Sequence, residues 1–192
     1  AFVADAGAQG VSTELLFGYA PWARTAEHAK AIALAQKAVT FAAGLSTTKP
    51  VAVHFDVEPH GLAEWGTDQA SIANQYVDLL EELFAVTNGS GLALVVDIPF
   101  WYDAIAVTRK GTTRPLMEWV VDAVDRVAIM DYRDHADGAD GIIALGAAEV
   151  TYGASVNKPI MLSVETLCNL DPPKVSFCEE GRAALESALA TT

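Results

Sequence analysis

The sequence of 192 residues contains few basic residues, few cysteines and no long hydrophobic run. Twelve lysines and arginines face 25 aspartates and glutamates, so the formal net charge is −13. A chain this acidic repels the phosphates of nucleic acids and anionic membranes, so we expect neither as a partner, and a neutral ligand such as a sugar suits it better. The longest apolar runs, such as residues 92–96, have the length of a strand and not the ~20 residues that span a membrane.

Several motifs that indicate other enzyme classes are also missing. The sequence has no Gly-rich phosphate loop, no GxSxG nucleophile elbow and no Cys–His arrangement, so nucleophilic acyl transfer has no support. His54, His60 and His135 lie among carboxylates, yet none belongs to an HxH or HxxxH pair that would indicate zinc. We therefore expect no metal and no cofactor.

The two cysteines, Cys168 and Cys178, flank a Pro-containing segment and form no CxxC motif. They are either reduced thiols or a disulfide that closes this loop, and we predict the disulfide, with Cα atoms within about 7 Å of each other. Asn88-Gly89-Ser90 is an N-glycosylation sequon in a predicted turn. Both features are typical of secreted proteins, so together they favour an extracellular or secretory-pathway location.

The chain alternates regularly between strand-like and helix-like segments. Apolar, partly β-branched runs predict five strands at residues 11–19, 51–58, 92–98, 127–132 and 159–165. Helical periodicity follows each strand, at residues 25–43, 68–86, 115–124, 141–153 and 179–190. This alternation indicates parallel βαβ units in one α/β domain over residues 1–192.

Polar and aromatic side chains gather at the carboxyl ends of these strands, where a (β/α)8 barrel carries its active site. They are His54, Asp56, Glu58, His60, Asp97, Trp101, Tyr132, Asp134 and Glu165. A doubly wound sheet also binds ligands at strand ends, but no Gly-rich loop supports that fold here.

The number of strands is too small for a whole barrel. A (β/α)8 TIM barrel has eight strands and typically ~250 residues, whereas about five βα units are present here. We therefore predict an incomplete barrel that corresponds to the third to seventh strands. The sequence begins at Ala1 rather than Met. We expect the remaining strands to come from a longer chain or from a partner subunit.

Three polar side chains alternate along the second predicted strand. Because neighbouring side chains point to opposite faces, His54, Asp56 and Glu58 point the same way, into the mouth of the barrel. Two carboxylates at i and i+2 couple electrostatically, so one can keep its proton while the other ionises, as acid catalysis requires. The alternative is structural, since such acids also cap loops or accept bonds from backbone N–H groups.

Two motifs resemble glycoside hydrolase family 18, the chitinase-like enzymes. Asp56-Val57-Glu58 resembles the end of the DxxDxDxE signature on the fourth strand, and Met130-Asp131-Tyr132 resembles the Met-x-Tyr motif on the sixth. The resemblance implies that Glu58 is the acid and that Asp56 positions the acetamido group of the substrate. It also implies that Tyr132 donates a hydrogen bond to the substrate. Val51 and His54 stand where the signature has its first two aspartates.

The chain is also similar to the retaining glycosidases with catalytic glutamates on strands four and seven. Glu58 and Glu165 occupy those positions, which implies that one is the acid/base and the other the nucleophile. Val57 stands where that clan has an asparagine. Taken together, the strand-end segments look like the uncharacterised glycosidase-like TIM-barrel proteins, a resemblance that names no substrate.

These observations predict a glycosidase-type barrel that binds a carbohydrate and cleaves a glycosidic bond by acid catalysis. Glu58 would donate the proton, Asp56 would assist it, and Glu165 would stabilise or attack the oxocarbenium-like centre. The predicted sugar-binding residues are His54, Asp97, Trp101, Tyr132 and Asp134. Trp101 is either a stacking platform or a core residue. A non-catalytic carbohydrate-binding protein and a structural or assembly subunit on a degenerate barrel remain the alternatives.

Overall fold

A computed structural model describes all 192 residues. Its strands are β1 (Glu14–Gly18), β2 (Ala52–Asp56), β3 (Ala93–Pro99), β4 (Ala106–Arg109), β5 (Thr112–Pro115), β6 (Arg126–Met130) and β7 (Ile160–Ser163). Its helices are α1 (Phe2–Ala8), α2 (His28–Ala43), α3 (Gln69–Thr87), α4 (Leu116–Ala123), α5 (Ile142–Leu145), α6 (Ala147–Ser155) and α7 (Gly181–Leu189). No helix is both long enough and apolar enough to cross a membrane.

Five of the strands form one parallel sheet in the order β1-β2-β3-β6-β7. They correspond to the five strands that the sequence predicts, and α2, α3, α4 and α7 correspond to four of the predicted helices. The single helix predicted over residues 141–153 is divided at Gly146 into α5 and α6. The sheet does not close, since β1 and β7 are its two free edges. The architecture is therefore a mixed α/β fold with an open, partial barrel.

The two faces of the sheet differ in chemistry because side chains alternate along each strand. Val53 and Phe55 of β2, and Val57 just after it, are at most 1% exposed and belong to the main core with α2 and α3. Complete burial of an apolar side chain of this size contributes about 1.5–3 kcal/mol. The intervening His54 and Asp56 are only half-buried, on the opposite, inner face. The apolar core therefore lies between sheet and helices, and polar groups occupy the inner face.

A β-hairpin of β4 and β5 lies between β3 and α4, where the sequence analysis predicts no element. Its two-residue turn is formed by Lys110 and Gly111, whose φ values are 52° and 80°. Two left-handed residues match the twist of a hairpin. The strands alternate Val107 and Arg109 inward with exposed residues, and Arg109 pairs with Asp78 of α3 at 2.6 Å. The segment lacks an apolar run, which is the signal that identifies the other strands in the sequence.

Cys168 and Cys178 form a disulfide with a Cα–Cα distance of 5.1 Å, as predicted. The bridge closes the loop between β7 and α7. Phe177, next to Cys178, is buried in a small second core with Ala136, Ile142 and Ala188. The disulfide and this apolar cluster together hold the loop after β7 against the loop after β6.

Candidate functional site

The inner face of β2 and β3 carries a group of carboxylates. Asp56, the last residue of β2, has a buried Oδ1 atom without a hydrogen-bond partner. Burial raises the pKa of Asp56, and the negative charges of Asp97 and Glu58 raise it further, while His54 and His60 act in the opposite direction. The structure thus brings Asp56, Asp97 and Glu58 into one electrostatic cluster.

His54 lies between two carboxylates from neighbouring strands. Its Nδ1 is 2.9 Å from Oε2 of Glu14 on β1, and its Nε2 is 2.8 Å from Oδ2 of Asp97 on β3. Burial lowers the pKa of His54, but its contacts with Asp97 and Glu14 outweigh this effect, so the pKa is raised overall. Glu14 also pairs with Arg126 of β6, which links four strands across the inner face.

Glu58 lies two residues beyond β2 and is accessible, with 41% of its side chain exposed. The Nε2 atom of His60 is 3.7 Å from Oε2 of Glu58. Burial lowers the pKa of His60, whose Nδ1 is 3.2 Å from the hydroxyl of Tyr102. A neutral imidazole and an accessible carboxyl group therefore stand side by side at the end of β2.

Aromatic rings form a wall next to Glu58. The ring of His60 meets that of Trp101 edge-on at 5.1 Å, and Trp101 meets Tyr102 at 5.1 Å. Trp65 stacks on Tyr102 with the ring centroids 5.9 Å apart. Tyr102 is fully buried, whereas Trp65 and Trp101 are partly buried and also pack against the main core. Trp101 therefore packs against the core and also presents an accessible aromatic surface, so it combines the two roles predicted as alternatives.

Tyr132 stands after β6 and shares the field of the same carboxylates. Burial raises its pKa, and the negative charges of Asp97, Glu165 and Asp56 raise it further. The phenol therefore keeps its proton and can act as a hydrogen-bond donor, the role for which the sequence motif suggests it.

Glu165 lies two residues beyond β7, and its carboxylate accepts hydrogen bonds from the backbone of the residues that follow it. Its Oε1 accepts hydrogen bonds from the backbone N–H groups of Thr166 and Leu167, at 2.6 and 2.7 Å. Its backbone carbonyl accepts another from Phe177 at 2.9 Å. These are the loop contacts of the structural alternative, while its charge still acts on Tyr132. A nucleophilic role for Glu165 stays a prediction.

The contacts of Asp134 are with the loops after β6 and β7, not with the carboxylates of β2 and β3. Its carboxylate contacts His135, and its backbone N–H donates to the carbonyl of Lys174 at 3.0 Å. Its neighbour Arg133 pairs with Asp140 at 2.9 Å, not with the adjacent aspartates. This region joins the loops after β6 and β7, and the predicted sugar contact of Asp134 stays a prediction.

Three further residues interact with the groups of the inner face but are not among the residues predicted from the sequence. Glu14 and Arg126 begin their strands, and only the curvature of the sheet brings them together. Tyr76 of α3 is fully buried with an unpartnered hydroxyl, and its pKa is raised by burial and by the charges of Asp97 and Asp56. Helical periodicity marks Tyr76 only as a core residue. No group of three or more His, Cys, Asp or Glu side chains has an arrangement that could hold a metal ion.

No protein-family model matches this chain, and no curated protein matches its sequence. Among solved structures, the chain is similar to a chitinase from Chromobacterium violaceum ATCC 12472, with a TM-score of 0.52 and 16% identity. It is also similar to a mutant of catalytic domain 2 of the Group II chitinase from Ostrinia furnacalis, with a TM-score of 0.51 and 16% identity. The latter structure contains penta-N-acetylchitooctaose.

The similarity extends over most of this chain but over only part of each chitinase. It covers 83% and 84% of this chain, and 51% and 46% of the two chitinase chains. The chain thus spans about half the length of these structures. At this level of identity the comparison establishes the fold alone: the chain has the architecture of part of a chitinase catalytic domain.

Proposed function

We propose that this chain forms the catalytic part of a glycoside hydrolase barrel and cleaves a glycosidic bond by carboxyl acid catalysis. The main support for this proposal is the proximity of accessible Glu58 to half-buried Asp56, whose Oδ1 atom is buried, at the end of β2. Burial and two like charges raise the pKa of Asp56, so it retains a proton more readily than an ordinary aspartate. Two carboxyl groups in different environments are the usual requirement for acid catalysis at a sugar.

In this mechanism Glu58 donates a proton to the leaving oxygen, and Asp56 supports the charge change at Glu58. Tyr132 donates a hydrogen bond to the substrate, and Trp101 presents a face to the apolar C–H side of a sugar ring. Asp97 and His54 lie 2.8 Å apart, and the charges of both act on the pKa of Asp56, in opposite directions.

The second step can follow either of two routes. In the substrate-assisted route, an acetamido group of the substrate, held by Asp56, attacks the anomeric carbon, and Glu165 is not the nucleophile. If Glu165 is the nucleophile, its carboxyl lies about 5–5.5 Å from that of Glu58, whereas an inverting pair needs about 6.5–9.5 Å. The local backbone bonds of Glu165 favour the substrate-assisted route.

We also propose that additional strands complete the barrel. Leu16 on β1 and Met161 on β7 lie at the free edges on the inner face, with 63% and 37% of their surfaces exposed. Open sheet edges and exposed apolar groups favour association with further strands. These strands belong to a longer chain or to a partner subunit, and the disulfide supports a secretory or extracellular location.

The proposal is tested with oligomers of N-acetylglucosamine as the first substrate, chosen because one structural neighbour contains such an oligosaccharide. Products are separated by chromatography for the wild type, for Glu58→Gln and for the exposed control Glu179→Gln. Loss of the proton donor is expected to lower turnover by about 10²–10⁴-fold while binding persists. Equal turnover by Glu58→Gln and the control would contradict the assignment of Glu58.

A non-catalytic carbohydrate-binding protein is the second candidate. It is favoured by Val51 and His54, which replace the first two acids of the family 18 signature, and by the occupied carboxylate of Glu165. Binding of oligosaccharides by calorimetry without hydrolysis over long incubation would support this candidate.

A further inference from the structure

Two carboxyl groups outside the candidate site are completely buried without a partner. Asp131 follows β6, and Glu149 lies in the first turn of α6; both residues are 0% exposed. None of their four carboxyl oxygens has a hydrogen-bond partner. Buried polar atoms are nearly always satisfied, so four unsatisfied oxygens in one region require an explanation.

The charge of Asp131 acts on Glu149, so the two carboxyl groups lie near each other where α6 begins beside the end of β6. A Cβ atom at Gly146 would lie 3.0 Å from Oδ2 of Asp131 and 2.5 Å from Leu162, so the start of α6 approaches Asp131 closely. Gly146 and Glu149 are three residues apart and lie on the same side of the helix. Glu149 therefore faces the end of β6, where Asp131 stands.

Neither Asp131 nor Glu149 forms a salt bridge with a basic side chain. Asp103, in the segment before β4, adds a negative charge that acts on Glu149. Arg133 favours ionised Asp131, but its guanidinium already pairs with Asp140, donates to the carbonyl of Tyr132 and lies over the ring of Phe100. The amino end of α6 also favours a negative charge.

Burial nevertheless dominates the balance for both acids. It raises the pKa of Asp131 to about 6 and the pKa of Glu149 to about 7, the latter with additional contributions from Asp103 and Asp131. A proton on one carboxyl group can be donated to an oxygen of the other, which would satisfy oxygens that otherwise have no donor.

We propose that Asp131 and Glu149 form a proton-sharing carboxyl pair that locks the end of β6 to α6 and releases it when both groups ionise. Asp131 immediately precedes Tyr132, so the pair is a positioning device for that phenol. The pair itself is independent of the proposed function, and only its effect on turnover rests on that function.

The sign of the pH effect follows from the raised pKa values. Below about pH 4 the carboxyl groups are protonated in both the folded and the unfolded chain, so their contribution to stability is complete. As pH rises toward about 7, the unfolded chain loses these protons first, and the folded state loses stability until its own groups ionise. The two carboxyl groups therefore contribute most to the free energy of unfolding under acidic conditions.

The test compares thermal unfolding of the wild type, Asp131→Asn/Glu149→Gln and the exposed control Glu186→Gln between about pH 4.5 and about pH 8. The wild type and the control are expected to lose several degrees relative to the double variant as pH rises, because amides do not ionise. Parallel curves for all three proteins would overturn the proposal.

A spectroscopic measurement on the wild type keeps the proposal testable if the double variant fails to fold. Infrared difference spectra at about pH 6 are expected to contain the carbonyl band of a protonated, buried carboxyl group, which Glu149→Gln alone removes or shifts. Absence of this band from the wild type would overturn the pair. Its presence with no turnover on any sugar would instead contradict only the proposed function.

Discussion

Nε2 of His54 lies 2.8 Å from Oδ2 of Asp97, which joins the middle of β2 to the middle of β3 on the inner face of the sheet. The other ring nitrogen is held by Glu14, so the imidazole has a carboxylate on each side. Both nitrogens can donate only when His54 is protonated. The contact explains how a histidine fits where the chitinase-like signature has an acid: the imidazole lies between the carboxylates of Glu14 and Asp97, and its charge also lowers the pKa of Asp56.

The first prediction concerns the replacement of His54 by asparagine. The raised pKa of His54 means that its contribution to stability is complete below its unfolded pKa of about 6.5 and is lost as pH rises through the folded value. The change is expected to lower the free energy of unfolding by about 1–3 kcal/mol in mildly acidic solution and by less in alkaline solution. Urea unfolding at both pH values measures this, with His135→Asn as an exposed control. An equal loss at both pH values would contradict the charged state of His54.

The second prediction separates the two mechanisms. If the substrate-assisted route operates, Asp56→Asn lowers turnover of acetamido sugars by about 10²–10⁴-fold, whereas Glu165→Gln has a small effect. If Glu165 is the nucleophile, Glu165→Gln abolishes turnover. Steady-state kinetics on N-acetylglucosamine oligomers and on the matching deacetylated oligomers distinguish these cases. Equal turnover of the two substrates would count against acetamido assistance.

The third prediction concerns Cys168 and Cys178. Replacing both by serine removes the covalent closure of the loop after β7 and is expected to cost about 2–3 kcal/mol of stability. The loop also supplies the N–H of Phe177 to the backbone carbonyl of Glu165, so the segment that carries Glu165 should become more mobile. Denaturant unfolding measures the cost, and hydrogen exchange at Phe177 measures the mobility. The reduced wild type should match the double variant, and a variant as stable as the oxidised protein would refute this role.

The fourth prediction concerns the open inner face. Leu16 and Met161 are exposed at the two free edges, so the 192-residue chain is expected to bind an apolar fluorescent dye. Replacing both residues by serine should reduce this binding, whereas Phe41→Ser, at an exposed residue of α2, should have less effect. A chain that includes the strands completing the barrel should bind little dye. Strong dye binding by the completed chain would contradict the proposed closure.

The order of the main helices and strands can be predicted from the sequence alone. Hydrophobic periodicity identified α3 through Ile72, Tyr76 and Leu83, and continuous apolar runs identified β2, β3 and β6. These apolar patterns predict the elements correctly because the residues that form them are buried in the main core. The alternation along β2 also placed His54, Asp56 and Glu58 on one side, since the two-residue period of a strand is local geometry.

Contacts between residues that are far apart in the sequence become visible only in the folded protein. The contacts of Glu14 with His54 and Arg126 depend on the register and curvature of the sheet, and the aromatic wall depends on how the segments after β2 and β3 pack together. The burial of Asp131 and Glu149 is likewise invisible in a sequence, where both are ordinary acids. Local patterns report the period of each element, whereas pKa values and ion pairs are determined by the neighbours that folding brings from other parts of the chain.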